Sequence, residues 1–153
     1  MDRDALRVVA ERRGMVHARG GKAKAGLGAD HEYVALVGEW VFSERYGYPI
    51  DTADRVGGDN GVDFRVPGVG TVDVKTARKP TWLLVERGKV RADIYVLARY
   101  DDASETAELL GWAWGSDVAR AVLRDMGYGI VSHAIEAGRL RSIEELDGMM
   151  GDD

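Results

Sequence analysis

Three charged side chains stand close together in the stretch GVDFRVPGVGTVDVKTAR, residues 61–78. Asp73 and Lys75 are two residues apart, and side chains two apart on a strand point to the same face. Asp63 lies before a Pro-Gly turn, so the returning chain can bring its carboxylate to the same region. Two carboxylates that lie so close repel each other unless a cation intervenes, and their oxygens suit a hard divalent ion, Mg²⁺ above all.

A divalent ion held in this way has a specific chemistry. It keeps several waters, can bind a phosphate oxygen, lowers the pKa of a bound water and stabilises a leaving oxygen. A nearby lysine can orient or deprotonate the attacking water. The residues therefore predict hydrolysis of phosphodiester bonds. Simpler interpretations stay open: Asp73 and Lys75 also fit an exposed ion pair on a strand, Asp63 fits a turn cap, and Asp59 is a rival ligand.

A hairpin and a preceding helix must position these groups. Residues 62–66 and 69–75 read as two strands around the PGVG turn. In residues 30–47, apolar side chains recur at three- and four-residue steps behind Asp30, which predicts a helix with Asp30 as its N-cap and an end near Gly47. Glu39 lies near the border of the apolar stripe, so its carboxylate can point toward the sheet. Glu39 could also be solvated, with Glu44 or Glu32 in its place.

The rest of the chain supplies further strands and short helices. The apolar runs at 92–100 and 107–115 are typical of central strands covered on both faces. This order of elements predicts an α/β (α+β) domain with a central mixed sheet flanked by helices. The remaining predictions are a helix at 3–13, a strand at 82–86, a helix of about three turns capped by Ser116, an edge strand and turn at 128–140, and a terminal helical turn at 142–150.

Composition excludes several classes of protein. A length of 153 residues fits one domain. The absence of cysteine excludes disulfides, thiolate zinc sites and cysteine nucleophiles. No apolar stretch of about 18 residues occurs and the first residues are charged, so we expect a cytoplasmic protein without a membrane partner. The segment ARGGKAKAGLGAD, residues 18–30, lacks the spacing of a phosphate loop, so no nucleotide cofactor is expected.

The charge is distributed unevenly along the chain. The net charge of −5 argues against a protein that coats nucleic acid non-specifically. Residues 3–24, however, hold seven basic groups against two acidic ones. This is typical either of a solvated helix face with a loop or of an arm that contacts phosphates. The residues predicted to contact nucleic acid are Arg19, Lys22 and Lys24 in this arm, and Arg78 and Lys79 just beyond the second strand.

The pattern resembles the PD-(D/E)XK nuclease superfamily, and more loosely small nucleases of bacteriophages. Asp63 matches the acid at the start of one strand, and DVK at 73–75 matches the acid-any-lysine triplet on the next. Glu39 matches a glutamate from the preceding helix, while Val62 replaces the proline before the first acid. The resemblance implies a restriction-endonuclease-like core, Mg²⁺ with Mn²⁺ as a substitute, and DNA as substrate. It also implies a catalytic set of Glu39, Asp63, Asp73 and Lys75, with Lys75 positioning the nucleophile and the metal held by Asp63, Asp73, the Val74 carbonyl and Glu39.

We therefore divide the chain into a basic N-terminal helix and Gly/Lys-rich loop (1–29), a nuclease-like core (30–126) and a C-terminal extension with an acidic tail packed on the core (127–153). The leading expectation is a metal-dependent DNA nuclease in a bacterial or phage-infected cell, where a homodimer could cut both strands. One alternative is a non-catalytic nucleic-acid-binding or assembly protein with the same fold. Another is a structural domain with an ordinary charged hairpin, which would bind no divalent ion.

Overall fold

The computed structural model describes residues 4, 5, 7 and 8, residues 27–50, residues 62–127 and residues 129–151. Residues 4, 5, 7 and 8 have helical backbone, in line with the helix predicted at 3–13. The elements that follow are α1 (Leu27–Tyr46), β1 (Phe64–Val66), β2 (Gly70–Ala77), β3 (Trp82–Glu86), β4 (Ile94–Asp101), β5 (Thr106–Trp114), α2 (Gly115–Arg120), β6 (Leu123–Asp125), β7 (Val131–Glu136), a 3₁₀ helix (Ala137–Arg139) and α3 (Ile143–Met150).

The strands form two sheets. The first sheet has the order β1-β2-β4-β5, in which β2 and β4 are parallel and the other pairs are antiparallel. The second sheet has the order β3-β7-β6 and is antiparallel throughout. The predicted mixed α and β composition with a mixed sheet is confirmed. The second sheet was not predicted, because β3 pairs with a strand far away in the sequence.

The first sheet is covered on both faces. Val72 and Val74 of β2 pack with Phe42 of α1 and Leu146 of α3 on one side. On the other side, Tyr95 and Leu97 of β4 pack with Leu83 and Val85 of β3. Side chains of adjacent residues on a strand point to opposite faces, so Asp73 and Lys75 belong to the face that carries Tyr95 and Leu97. The helices α1 and α3 therefore cover the face of the sheet opposite to the one that carries the charged pair.

Helix α1 packs on β2 at a glycine. Its buried apolar residues, among them Leu36, Val37 and Phe42, follow the predicted helical spacing. At Gly38 a Cβ atom would lie 1.8 Å from Thr76 Oγ1, so the absence of a side chain allows the close approach. Gly47 follows the helix with φ of +80° and donates its N–H to the Ser43 carbonyl at 2.8 Å, which ends the helix where it was predicted to end.

Helix α1 and strand β2 in the N-terminal half differ in extent from the prediction. Helix α1 begins at Leu27, so the prediction of Asp30 as the N-cap is wrong. Asp30 lies in the first turn, where its negative charge interacts favourably with the helix dipole. Strand β3 has the predicted bounds, whereas β2 continues past Lys75 to Ala77 because it pairs with β4 along that length.

The C-terminal half departs further from expectation. The three-turn helix after Ser116 is wrong: α2 ends at Arg120 and has Trp114 as its N-cap residue. Residues 123–125 instead pair with β7, so tertiary pairing overrides the helical pattern. Strand β7 is central in its sheet rather than an edge strand, and β5 is an edge of the first sheet rather than a central strand. The terminal helix is confirmed as α3, and the Ser142 hydroxyl accepts the Glu145 N–H at 3.3 Å.

The segment 127–153 supplies the middle strand of the second sheet and helix α3, which packs on the first sheet. Most of the segment 1–29 lies outside the described residues. Among the described helices, none has the length and apolar character needed to cross a membrane.

Candidate active site

The hairpin of β1 and β2 sets the position of Asp63. Within it, Phe64 lies opposite Val72 and Val66 opposite Gly70. The turn is closed by a hydrogen bond from the Val69 N–H to the Val66 carbonyl at 3.0 Å, and Gly68 and Gly70 have φ of +80° and +132°. Both values lie in the region that glycine adopts without strain. The paired register begins at Phe64, and Asp63 lies just before it, next to residues 72–74 of β2.

Asp63 is held against β2 by two hydrogen bonds. Its N–H donates to the Val72 carbonyl at 2.8 Å. Its side-chain Oδ2 accepts the Val74 N–H, also at 2.8 Å. The carboxylate is therefore oriented by the backbone of the strand that carries Asp73 and Lys75, and the predicted meeting of the two strands is present.

Asp73 and Lys75 form an ion pair on one face of β2. Lys75 Nζ lies 2.8 Å from Asp73 Oδ2. The Asp73 side chain is 5% exposed, whereas the Lys75 side chain is 41% exposed. A buried carboxylate needs a charged or hydrogen-bonding neighbour, since desolvation of an uncompensated charge is costly. Lys75 provides that neighbour and still reaches the surface.

The charges of the site act together on Lys75. Burial lowers its pKa, but the charge of Asp73 and hydrogen bonding to Asp73 raise it, and the charge of Asp63 raises it further. A smaller contribution from Tyr95 has the same sign, and the net pKa of Lys75 is raised. The site therefore holds Lys75 as an ammonium ion, with both carboxylates within electrostatic reach of it.

Tyr95 lies beside the pair of Asp73 and Lys75. The sequence analysis did not identify this residue. It is opposite Asp73 in the parallel register and 1% exposed. Its hydroxyl oxygen accepts the backbone N–H groups of Arg91 at 2.9 Å and Ala92 at 3.2 Å. Tyr95 thereby fixes the segment that enters β4 next to the site. Its neighbourhood could not be predicted, because parallel pairing leaves no local pattern in the sequence.

Glu39 does not join the hairpin carboxylates in a shared cluster. It is buried, with 5% exposure, on helix α1 behind the opposite face of the first sheet. Within the described ranges, no three Asp, Glu, His or Cys side chains are grouped so that they could hold a metal ion. Of the substitutes considered for Glu39, Glu44 is exposed and accepts a hydrogen bond from Trp40 Nε1 at 3.1 Å, and Glu32 is half-buried. The role of Glu39 stays a prediction.

The oxygen donors of the hairpin fit a hard divalent ion. Mg²⁺ in proteins is usually bound by one or two carboxylates and keeps several waters. Asp63 and Asp73 supply two carboxylates from adjoining strands, and the backbone of Val74 lies between them through its bond to Asp63. Such a site does not require a third protein carboxylate, because water can complete the coordination.

Only some of the residues predicted to contact nucleic acid lie in the part of the chain that the structure describes. Arg19, Lys22 and Lys24, and the rival ligand Asp59, lie outside the described residues. Arg78 donates to Asp102 from Nε at 2.9 Å and to Asp30 from Nη1 at 3.2 Å. These bonds tie the start of α1 to the turn between β4 and β5, so the guanidinium has structural partners. Lys79 is exposed just beyond β2.

Arg65 is a further cation of the hairpin, and the sequence analysis did not identify it. It is exposed on β1, between the buried Phe64 and Val66. Its register partner on β2 is Thr71, two residues before Asp73, so alternation along β2 places Arg65 on the face that carries Asp73. No ion pair joins Arg65 to the part of the chain that the structure describes. The same two-residue step that linked Asp73 to Lys75 would have identified it.

The residues that carry the resemblance are thus only partly brought together. Asp63, Asp73 and Lys75 meet on the hairpin, while Glu39 lies on the helix behind it. The mixed sheet and its preceding helix are present as expected. No protein-family model, curated protein or solved structure matches this chain.

Proposed function

We propose that the chain is a metal-dependent nuclease that hydrolyses phosphodiester bonds in DNA. The observation that carries the proposal is the arrangement of the hairpin: the Asp63 carboxylate accepts the Val74 N–H, and on the same strand Asp73 contacts the ammonium group of Lys75. A structural hairpin has no evident need for a buried carboxylate with a second carboxylate nearby, since like charges close together are costly.

The order of elements supports a restriction-endonuclease-like core of the PD-(D/E)XK type. A helix precedes the hairpin, and the strand that follows in the same sheet, β4, is parallel to β2. Among the described strands, β1 ends the order of that sheet, so the site lies near an edge strand, on which Arg65 is exposed. A substrate as large as DNA needs an accessible site.

The residues divide the work in the proposed site. Asp63, Asp73 and the Val74 carbonyl would hold the Mg²⁺, for which Mn²⁺ can substitute. When bound, the ion supplies an activated water and positive charge for the leaving oxygen. Lys75 donates N–H hydrogen bonds that orient the attacking water or a phosphate oxygen.

Local cations must attract the substrate, because the chain as a whole is negatively charged. Lys79, Arg65 on the site face of β1, and the predicted arm residues Arg19, Lys22 and Lys24 contact the phosphates in this proposal. A homodimer would present two such sites and cut both strands.

The experiment compares the wild type with Lys75→Ala on labelled single-stranded, double-stranded and branched DNA, in Mg²⁺, Mn²⁺ or EDTA. We expect metal-dependent cleavage that falls by about 10²–10³-fold in the variant, the usual loss when one well-placed donor is removed. Lys89→Ala is the matched control, since Lys89 is also an exposed lysine in an ion pair, with Glu86 at 2.5 Å. Its cleavage rate should equal that of the wild type.

Three outcomes contradict the proposal. Cleavage that persists in EDTA, or that Lys75→Ala leaves unchanged, excludes the site described above. Tight DNA binding without cleavage by any of the three proteins would instead favour the non-catalytic binding protein.

A further inference from the structure

The ion pair of Lys75 and Asp73 bears on how a metal enters the site. Lys75 Nζ lies 2.8 Å from Asp73 Oδ2, which is one of the oxygens proposed as a metal ligand. An ammonium nitrogen at this distance makes direct contact with the oxygen. A divalent ion cannot bind that oxygen from the same side while the ammonium group remains there.

Electrostatic repulsion by Lys75 also opposes metal binding at this site. The negative charge of Asp73 already has a positive group in contact with it, the ammonium group of Lys75. A +1 and a +2 charge a few ångströms apart repel each other strongly enough to change affinity by more than about tenfold, even in water. Metal binding must therefore overcome the ammonium group or displace it.

We infer that Lys75 is an internal competitor of the metal for Asp73, so that it sets the metal affinity of the DNA-free protein below what the two carboxylates would give. This inference rests on the metal site proposed above. Geometry allows the exchange, because the Lys75 side chain is 41% exposed while Asp73 is buried. The flexible stem of lysine can carry the ammonium group outward without movement of the strand.

The exchange also gives the Lys75 side chain different roles in the metal-free and the metal-bound protein. In the metal-free protein Lys75 neutralises a buried carboxylate, and in the metal-bound protein the ion takes over this task. The displaced ammonium group then remains near the site, on the solvent side, where a phosphate or a water would lie.

The test measures Mn²⁺ binding by calorimetry in the absence of DNA. Three proteins are compared: the wild type, Lys75→Met, which keeps the length of the stem but removes the charge, and Lys75→Arg, which keeps the charge. We expect Lys75→Met to bind Mn²⁺ at least about tenfold more tightly than the wild type. Lys75→Arg should bind within a factor of about three of the wild type, the usual context dependence of such measurements.

Lys75→Met removes the ammonium group that contacts the buried carboxylate of Asp73, so this variant could fail to fold without metal. Lys75→Gln then replaces it, because the glutamine amide is neutral but can donate to Asp73. Circular dichroism before each titration establishes that the protein is folded, and the expected direction of the change is the same for either variant.

The outcomes distinguish the inference from the function on which it rests. Tighter Mn²⁺ binding by the neutral variants, with wild-type affinity in Lys75→Arg, supports the competition. Equal or weaker binding by the neutral variants, while the wild type still binds, overturns the competition and leaves the metal site intact. Absence of Mn²⁺ binding by the wild type and all variants overturns both.

Discussion

Arg65 and Arg99 are exposed arginines on strands of the first sheet, and they differ in their partners. Arg99 Nη2 lies 2.6 Å from Glu108 Oε1, whereas Arg65 has no ion-pair partner in the described ranges. If Arg65 contacts a phosphate, Arg65→Ala should weaken DNA binding for all sequences. The plot of log affinity against log salt concentration should become less steep by about 0.9. Fluorescence anisotropy in EDTA measures this without cleavage.

Arg99→Ala is the matched control for this prediction, because its guanidinium is already neutralised by a neighbouring carboxylate. Its salt dependence should equal that of the wild type. Equal slopes for Arg65→Ala and the wild type would remove Arg65 from the DNA-binding surface, whatever the outcome for the metal site.

At the scale of single residues, the sequence predicts those contacts that follow from the alternation of side chains along a strand. The pairing of Asp73 with Lys75 follows from a two-residue step, and the approach of Asp63 follows from a tight turn. The neighbourhood of Tyr95 depends on β2 and β4 becoming parallel neighbours, which no local pattern reveals. The location of Glu39 behind the sheet depends in turn on which face α1 covers.

At the scale of elements, the contact of α1 with β2 predicts that replacing a helix glycine by alanine destabilises the protein. Helix propensity alone predicts the opposite. Alanine stabilises the interior of a helix by about 1 kcal/mol relative to glycine. At Gly38, however, the new Cβ would lie 1.8 Å from Thr76 Oγ1. We expect Gly38→Ala to lower the free energy of unfolding by about 1–3 kcal/mol, as overpacked sites do. Urea denaturation followed by circular dichroism measures the change.

Gly148 in α3 is the control for this substitution. Among the described residues, a Cβ there would meet no atom within 4 Å apart from its chain neighbours and the backbone of its own helix. Gly148→Ala should therefore raise the free energy of unfolding by about 0.5–1 kcal/mol. Stabilisation by both substitutions would mean that α1 does not approach β2 closely at Gly38.

A second prediction concerns the contact between α1 and α3. Asp147 accepts hydrogen bonds from Arg45 Nε at 2.9 Å and from the Tyr46 hydroxyl at 2.8 Å. The bonds to Arg45 and then to Tyr46 lower the pKa of Asp147. Stability from this group is therefore present above the ordinary carboxyl pKa of about 3.9 and is lost as the pH falls through the lower pKa of the folded protein.

Asp147→Asn should accordingly reduce the free energy of unfolding at pH 7 by roughly 0.2–1 kcal/mol, the range for exposed ion pairs. The difference from the wild type should shrink as the pH falls below about 4. Urea titrations between pH 2 and 7 measure it. A difference that stays constant over this range would show that Asp147 does not stabilise the contact through its charge.

The predictability of an element depends on whether its partners are near in sequence. The bounds of β3 were correct because its apolar run is short and flanked by turn residues, and α1 was identified from its periodicity. The pattern after Ser116 also suited a helix, yet Leu123 and Met126 are exposed and residues 123–125 pair with β7. Here a distant strand decides the structure, and the local pattern does not contain it.

For the molecule as a whole, Leu83 connects the two sheets. It is fully buried in the cluster that joins β3 to Tyr95 and Leu97 of the first sheet. Leu83→Ala should lower the free energy of unfolding by about 2–5 kcal/mol. Far- and near-ultraviolet circular dichroism should still give coincident transitions, since both sheets share this core.

Leu84, the half-buried neighbour on β3, is the control, and its replacement by alanine should cost less than that of Leu83. Two separate transitions in the Leu83→Ala protein would show that the sheets unfold independently. They would also show that the site on the first sheet does not depend on the second.

The pairing of β3 with β7 also has a consequence for synthesis on the ribosome. Strand β3 is made before β4 and β5, but its partner in the second sheet begins at Val131. At about 5–20 residues per second, the ribosome needs on the order of 2–9 s to add the chain from Glu86 to Val131. During that interval the first sheet can assemble while the hydrogen-bonding edge of β3 has no β7 to pair with, which exposes it to other nascent chains.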